Sequence, residues 1–291
     1  MTPVQNYIDL FKQNRALIDR GSAGALNSAR DNALDCLLRY GLPHKGLEEY
    51  LHTDVGEWFE PDWGMNLARL DMPVDFAQAF KCSVPNLSTQ LYFLANDSFA
   101  SSETASRNLL PDGVYAGSLK DTALERPEIL EKYYGKLADM DKPGIAAINT
   151  LFAQDGFMLY VPDGVVVEKP LQLITLLSSK VDLMVNRRIL VVLGRGAQAK
   201  LLLCDHALAA NQYLTTQVTE VFAGEGSALE LYDLEETHYA NRRVSELYIN
   251  QEADSNVEID YVTLHNGRTR NTVFSTFAGR GSNLSLNGIA T

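Results

Sequence analysis

Three glycine-containing turns of one design recur in the second half of this 291-residue chain. They read Gly194-Arg195-Gly196-Ala197, Gly224-Glu225-Gly226-Ser227 and Gly279-Arg280-Gly281-Ser282, and a degenerate copy, Glu252-Ala253-Asp254-Ser255, lies between the last two. Measured at the third residue of each turn (positions 196, 226, 254 and 281), the steps are 30, 28 and 27 residues. A repeat of this length predicts a stacked array of structural units.

Each repeat contains two short apolar runs, for example residues 217–222 and 229–234. Two strands per repeat predict a mainly β fold, a parallel β-helix, in which each strand pairs with its counterpart one coil along and so satisfies its backbone groups. The alternative is a meander of antiparallel hairpins with a chance period. The parallel arrangement requires Gly196, Gly226 and Gly281 to occupy equivalent corners of successive coils.

The first half of the chain has a different pattern. Residues 1–144 are predicted to form a mixed, largely helical domain, and residues 145–291 a β-helix core that ends within the solenoid. Apolar residues between positions 4 and 11 follow the spacing of an amphipathic helix. The long helical periods stop near residue 144.

Capping residues predict where two further helices begin and end. A helix around residues 34–38 is expected to be capped by Ser28 and ended by Gly41. Pro127 is expected near the start of another helix, where its missing N–H costs little.

Residues 50–122 are irregular in sequence, with one isolated strand expected at 90–95. Trp58 and Trp63, with Phe59 between them, have two interpretations. The cluster is either a patch that docks a partner or a small local core beneath an irregular segment.

Charge and cysteine content limit the classes of function. The net charge of −12 argues against nucleic acid or an anionic membrane as the main partner. The first twenty residues lack the apolar run of a signal peptide, which predicts a cytoplasmic protein. Cys36, Cys82 and Cys204 form no C-x-x-C pair, so neither a disulfide framework nor a closed structural zinc site is indicated.

Two longer segments carry a family resemblance. The first is Gly41-Leu42-Pro43, followed by Leu47-Glu48-Glu49-Tyr50 and Thr53-Asp54. The second runs from Ala147-Ile148-Asn149-Thr150 through Gln154-Asp155-Gly156 to residue 172. Together they resemble the SufB/SufD family of iron–sulfur cluster assembly scaffolds, and the Gly-Leu-Pro segment resembles the SufD branch more than SufB. Tyr50 stands where the family pattern usually has Trp.

The resemblance implies a right-handed parallel β-helix behind a helical N-terminal domain. It implies a non-enzymatic scaffold subunit that acts with a SufB-like paralogue and a SufC-like ATPase in iron acquisition and cluster assembly. Iron or the cluster would be held at the level of that complex. The chain itself has no G-x-x-x-x-G-K-[ST] motif, so nucleotide hydrolysis is expected from a partner.

Family members continue beyond the point that corresponds to Thr291, into further coils and a C-terminal helical domain. The chain is therefore expected to be either truncated at its C-terminus or a member of a short branch, and a solenoid without a polar cap favours truncation. No functional residue is carried over. An open coil edge at that end is expected to associate, which predicts a homodimer through the β-helix.

The candidate metal ligands are Cys204, His206, His238 and His265. Counted from the repeat anchors at 196, 226 and 254, the three histidines lie at +10, +12 and +11. Stacked coils lie about 4.8 Å apart, so these side chains could gather along one edge and offer iron or zinc the ligands it prefers. Alternatively, the unequal offsets keep them apart and Cys204 packs as a small hydrophobe.

Two enzymatic interpretations compete with a scaffold. Gly194-x-Gly196-x-x-Ala199 mimics a dinucleotide fingerprint, but that motif needs a helix and a strand-like run follows here. A β-helical carbohydrate-active enzyme would need paired acids, for which the chain offers Glu220, Glu225, Glu230, Glu235 and Glu236. Most of these alternate with apolar residues, which predicts a solvated sheet face. A structural solenoid that binds protein partners is the third hypothesis.

Overall fold

The computed structural model describes residues 3–70, 88–100, 109–208 and 211–291. Its helices are α1 (Pro3–Arg20), α2 (Gly24–Ser28), α3 (Arg30–Tyr40), α4 (Leu119–Glu125), α5 (Pro127–Tyr133) and α6 (Ala146–Phe152), with 3-10 turns at Glu48–Tyr50 and Gly56–Phe59. Within these ranges no helix has the length and apolarity needed to cross a membrane.

The strands of the described residues form two sheets. They are β1 (Gln90–Ala95), β2 (Ser98–Ala100), β3 (Tyr115–Ser118), β4 (Phe157–Val161), β5 (Leu171–Leu177), β6 (Leu183–Leu193), β7 (Gln198–Ala207), β8 (Tyr213–Ala223), β9 (Ala228–Glu236), β10 (Arg242–Gln251), β11 (Asn256–His265), β12 (Arg268–Phe277) and β13 (Asn283–Ala290). The seven-stranded sheet has the order β13-β11-β9-β7-β5-β1-β2, and the six-stranded sheet has the order β12-β10-β8-β6-β4-β3.

Successive coils stack in parallel. Strands β4, β6, β8, β10 and β12 pair in parallel in one sheet, and β5, β7, β9, β11 and β13 in the other. The chain thus alternates between the two sheets and builds a solenoid of about four turns after a helical N-terminal region. The predicted mainly β, parallel solenoid is confirmed, and the hairpin meander is wrong.

The glycine corners stack as the repeat requires. Gly196, Gly226 and Gly281 have φ of 64°, 66° and 76°, in the left-handed region that favours glycine. The N–H of Gly196 donates to the carbonyl of the next corner at 2.7 Å, and that of Gly226 does the same at 2.8 Å. A strand follows each corner, so the dinucleotide interpretation of residues 194–199 is wrong.

Two further corners complete the series. Asp254 occupies the degenerate corner with φ of 56°. Gly164, with φ of 72°, donates its N–H to the Arg195 carbonyl at 2.7 Å and forms an earlier corner that the sequence repeat did not predict. The step from 164 to 196 is longer than the later ones, which hid it.

The helix predictions are largely confirmed. Residues 4–11 lie in α1, with Tyr7, Ile8 and Phe11 buried. Gly41 ends α3 with φ of 70°, and Pro127 begins α5. The predicted Ser28 cap is wrong, because Ser28 ends α2 and its hydroxyl donates to the Ala25 carbonyl.

The strand at 90–95 exists but is not isolated. It is β1, and it pairs in parallel with β5 of the solenoid. Strand β3 joins the other sheet through an antiparallel pairing with β4. Strands from both sides of residue 144 therefore share the two sheets, while the domain boundary at 144/145 stays a prediction.

The aromatic cluster near residue 60 is a local core. Trp58, Phe59 and Trp63 are buried together with Tyr7 and Val55. The Trp63 indole N–H donates to the Trp58 carbonyl at 2.8 Å. The partner-docking interpretation of this cluster is wrong.

Candidate functional site

Cys204 and His206 lie two residues apart on β7, so their side chains leave the same face of the strand. Cys204 is buried and packs with Phe93, Ile174 and Leu176. It has the packing of a small hydrophobe.

The structure brings two of the three histidines into one row. His206 pairs in register with Glu236, and Glu236 with His265, so the three residues cross adjacent strands. The His206 Nδ1 and Glu236 Oε2 atoms are 3.7 Å apart. His238 lies in the loop after β9, with its ring 4.1 Å from that of Tyr239.

Across the described ranges, no group of three or more His, Cys, Asp or Glu side chains is placed to hold a metal ion. Cys82 lies outside those ranges. A metal site built from Cys204, His206, His238 and His265 therefore stays a prediction.

A group of buried charges lies inside the solenoid, at the edge opposite the glycine corners. We call it the ionic ladder; it comprises Arg187, Asp205, Asp233, Glu235 and Arg243. Their side chains are at most 5% exposed. The ladder joins the two sheets, because its arginines lie on β6 and β10 and its carboxylates on β7 and β9.

Bidentate pairs hold the ladder together. Arg187 donates through both terminal nitrogens to Asp205, with the Nη2–Oδ2 contact at 2.6 Å. Arg243 pairs in the same way with Asp233, with Nη1–Oδ1 at 2.8 Å. Arg243 Nη1 also lies 3.7 Å from Asp205 Oδ2, which links the two pairs.

Glu235 has a different environment from the other ladder carboxylates. It accepts hydrogen bonds from Asn266 Nδ2 at 2.6 Å and Thr269 Oγ1 at 2.7 Å, while Arg243 Nη1 is 3.9 Å away. Burial raises the pKa of Glu235 to about 6. Burial also acts on Asp205, but the nearby Arg187 and Arg243 outweigh it and hold the pKa of Asp205 below its usual range.

A second set of buried carboxylates fastens the 134–145 segment to the outer face of the six-stranded sheet. Glu220 accepts the backbone N–H groups of Gly135 and Leu137, both at 2.8 Å, and Arg188 Nη2 at 2.6 Å. Glu246 accepts the N–H of Ile145 at 3.1 Å and the Tyr248 hydroxyl at 2.8 Å. Burial raises the pKa of Glu246.

These contacts correct the expected solvated face. Glu220 and Glu235 are buried, and each binds structural groups of the fold. Glu225 and Glu236 are exposed, as expected, and Glu230 is partly exposed and pairs with Lys200 at 2.8 Å. The five acids therefore do not gather as the paired acids of a glycan-cleaving site.

The second sequence motif is explained by buried joints between the helical region and the solenoid. Asn149 Nδ2 donates to the Arg187 carbonyl at 3.0 Å, and Gln154 Nε2 to the Ile18 carbonyl at 3.1 Å. A Cβ at Gly156 would lie 2.1 Å from the Arg188 carbonyl oxygen, so only glycine fits there. The motif positions the first coils.

The ladder was missed from the sequence, although one signal was present. Asn186, Arg187 and Arg188 interrupt an otherwise apolar strand, and Arg243 lies on β10, two sheet positions further. Buried charges need partners, so an arginine within such a run predicts an acid on a facing strand. Because the ladder is enclosed, its own chemistry is limited to stabilising the coils and binding protons.

Comparison with known proteins identifies related sequences across the chain. A family model described as the SufBD protein N-terminal region matches residues 1–173. A second, described as the SUF system FeS cluster assembly SufBD core domain, matches residues 176–291.

Two curated relatives share this similarity. The iron–sulfur cluster assembly SufBD family protein slr0076 of Synechocystis is 25% identical over 254 residues, which cover 84% of this chain and 53% of the relative. Protein ABCI7, chloroplastic, of Arabidopsis thaliana is 24% identical over 247 residues, which cover 80% of this chain and 49% of the relative. The chain spans about half the length of the curated relatives it matches.

Proposed function

Because the chain belongs to the SufB/SufD family of iron–sulfur cluster assembly proteins, we propose that it is a SufD-like scaffold subunit. In this proposal it acts with a SufB-like paralogue and a SufC-like ATPase to acquire iron and assemble clusters. Iron or the nascent cluster is the cargo of the complex and not a resident cofactor of this chain. The observation that carries the proposal is the pair of adjoining family matches.

The same proposal assigns no catalysis to the chain. The sequence lacks a phosphate-binding loop, and the buried acids bind structural groups. A β-helical carbohydrate-active enzyme is not favoured, since its main candidates, Glu220 and Glu235, are enclosed. The proposed cytoplasmic location belongs to this hypothesis, and one relative is chloroplastic by name.

Co-expression with a SufB-like paralogue and a SufC-like ATPase tests the proposal. A tag on this chain should recover both partners, and the recovered complex should transfer a cluster to an apo-ferredoxin. The isolated chain should hydrolyse neither ATP nor glycans. Recovery of neither partner would favour the plain structural solenoid.

We further propose that the β12–β13 edge is the association surface, for the paralogue or for a second copy of this chain. Each of these strands has a hydrogen-bonded neighbour on one side in its sheet, and Leu286 on β13 is 51% exposed. An edge strand with apolar side chains favours pairing.

A matched pair of leucines tests the edge. Leu286→Asp should abolish recovery of the paralogue and reduce a homodimer to a monomer by light scattering. Leu38→Asp changes a leucine of equal exposure, 51%, on α3. This control should leave both the recovery of the paralogue and the oligomeric state unchanged. Equal effects of the two variants would contradict the edge proposal.

A further inference from the structure

The ionic ladder carries one more negative charge than it has cations to match. It contains three carboxylates, Asp205, Asp233 and Glu235, and two guanidiniums, Arg187 and Arg243. An unmatched charge in a water-poor interior is costly, so the interior favours either an added proton or access for water.

The contacts show which carboxylate is unmatched. Asp205 and Asp233 each have a bidentate arginine. Glu235 has no guanidinium nitrogen closer than the 3.9 Å of Arg243, and its short hydrogen bonds come from neutral groups. An added proton is therefore held best at Glu235.

The charged and titratable groups around Glu235 agree with this assignment. Arg243 faces it from β10, Asp205 from β7 and Asp233 from its own strand β9. The Tyr261 phenol of β11 lies near Asp233 and Arg243, and its pKa is raised by burial. Arg243 favours the ionised form of Glu235, whereas burial and the charges of Asp205 and Asp233 disfavour it. The raised pKa of Glu235, about 6, is consistent with the geometry.

Glu235 is connected to the surface through one short loop. Two of its neutral donors, Asn266 and Thr269, lie on either side of Gly267 and Arg268; residues 266–267 join β11 to β12, and β12 begins at Arg268. A third neutral donor, the Thr263 hydroxyl on β11, lies 3.5 Å from Glu235 Oε2. We call residues 266–269, the two-residue connection together with the first two residues of β12, the latch loop. On its outer side, residues 267–269 line a surface pocket of about 510 Å³ that Lys45 and His52 also line.

The latch loop is closed against the neighbouring coil by the pairing of Arg268 and Thr269 with β10 and by hydrogen bonds at its start. The N–H of Arg268 donates to the Asn241 carbonyl at 3.0 Å. The Thr237 N–H donates to the His265 carbonyl at 2.7 Å, and the Thr237 hydroxyl to Asn266 Oδ1 at 2.6 Å. These amides report whether the loop is closed.

We propose that Glu235 is a proton-controlled latch for the 266–269 loop. When Glu235 is protonated, the ladder is neutral and the loop stays closed over it. When Glu235 is ionised, the uncompensated charge favours states in which the loop opens and water reaches the carboxylate. The device is built into the solenoid and goes beyond the scaffold role proposed above.

The sign of the pH effect follows from the raised pKa. The closed form holds the proton of Glu235 more tightly than a solvated carboxyl does. Opening of the latch loop therefore becomes easier as pH rises from 4.5, the ordinary pKa of a glutamate carboxyl, through about 6, the pKa of Glu235 in the closed form. Above that pH the opening equilibrium no longer changes. A difference between 4.5 and about 6 corresponds to a change of about thirtyfold in the opening equilibrium at most.

Amide hydrogen exchange of the purified protein tests the latch. Protection of the Arg268 and Thr237 amides, corrected for intrinsic exchange, should fall as pH rises through about 6, by up to about thirtyfold. The Gly226 amide at the opposite edge should keep its protection. In Glu235→Gln the pH dependence should vanish, and in the control Glu236→Gln, which changes an exposed neighbour, it should persist.

A second variant keeps the test decisive if Glu235→Gln fails to fold. Thr269→Val removes a hydrogen bond that favours the ionised carboxyl, so the midpoint should move to higher pH. Amide protection in the wild-type protein that does not change with pH would overturn the latch proposal. So would a midpoint that persists in Glu235→Gln, which would belong to the histidines, or a parallel loss of protection at Gly226, which would mark global unfolding.

Discussion

The two edges of the solenoid turn the chain by different physical means. At the glycine edge three consecutive corners (194–197, 224–227 and 252–255) have four residues, and their backbone groups bond from corner to corner, as from Gly196 to Glu225. At the ladder edge the connections differ in length, with five residues at 237–241 and two at 266–267, and side-chain charges join the sheets. The glycine edge depends on local conformation, and the ladder edge on contacts between strands.

The comparison predicts that one arginine matters far more than another. Arg243→Ala leaves Asp233 and part of the ladder without a cation in a closed interior, which should cost about 3–5 kcal/mol of the free energy of unfolding. Equilibrium unfolding in urea measures this loss.

The matched control lies at the glycine edge. The Arg195 side chain is 71% exposed, and it pairs at the surface with Asp163 at 2.9 Å. Arg195→Ala should leave the unfolding midpoint unchanged within error, since solvent screens such pairs. Comparable losses in the two variants would remove the distinction between the edges.

The second prediction concerns conformation alone. A Cβ at Gly226 would meet nothing within 4 Å, yet its φ is 66°. Gly226→Ala should therefore cost about 1–2 kcal/mol by forcing a side chain into the left-handed region, and Gly226→Asn should cost less. Urea unfolding of both variants measures the difference. An alanine that is as stable as wild type would mean that the corner relaxes to another conformation.

The same contrast explains what the sequence could predict. The solenoid was predictable because glycine at a left-handed corner is a local requirement that recurs at each turn. The helix at residues 4–11 was predictable for a similar reason, since the spacing of its apolar residues marks the one helix face that is buried. Strand β1 was recognised, but its pairing was not, because its partner β5 lies about eighty residues further along the chain.

The buried acids could not be predicted from alternation. An alternating strand exposes one face only where nothing covers it, and the 134–145 segment covers the outer face of the six-stranded sheet at Glu220. The ladder depends on facing strands of different sheets, as between Arg187 and Asp205. His206 and His265 share a row across Glu236, but unequal loops obscure this in their sequence offsets.

The smallest expected effect tests whether neighbouring glycine-edge corners are independent. Asp254 holds the corner position with φ of 56°, and its Oδ1 lies 2.1 Å from where a Cβ at Gly281 would be. Asp254→Gly should relieve the left-handed strain but add freedom to the unfolded chain, for a net gain of about 0.5 kcal/mol.

Gly281→Ala should then cost more beside Asp254 than beside glycine, because the carboxylate must move to admit the methyl group. Since that carboxylate is the flexible end of a side chain, a double-mutant cycle in urea should give a coupling of about 0.5 kcal/mol. A coupling as large as the loss in Arg243→Ala would mean that the corners are joined as firmly as the ladder. Zero coupling would mean that each corner depends only on its own backbone conformation. The contrast between the glycine edge and the ladder edge would then be sharper still.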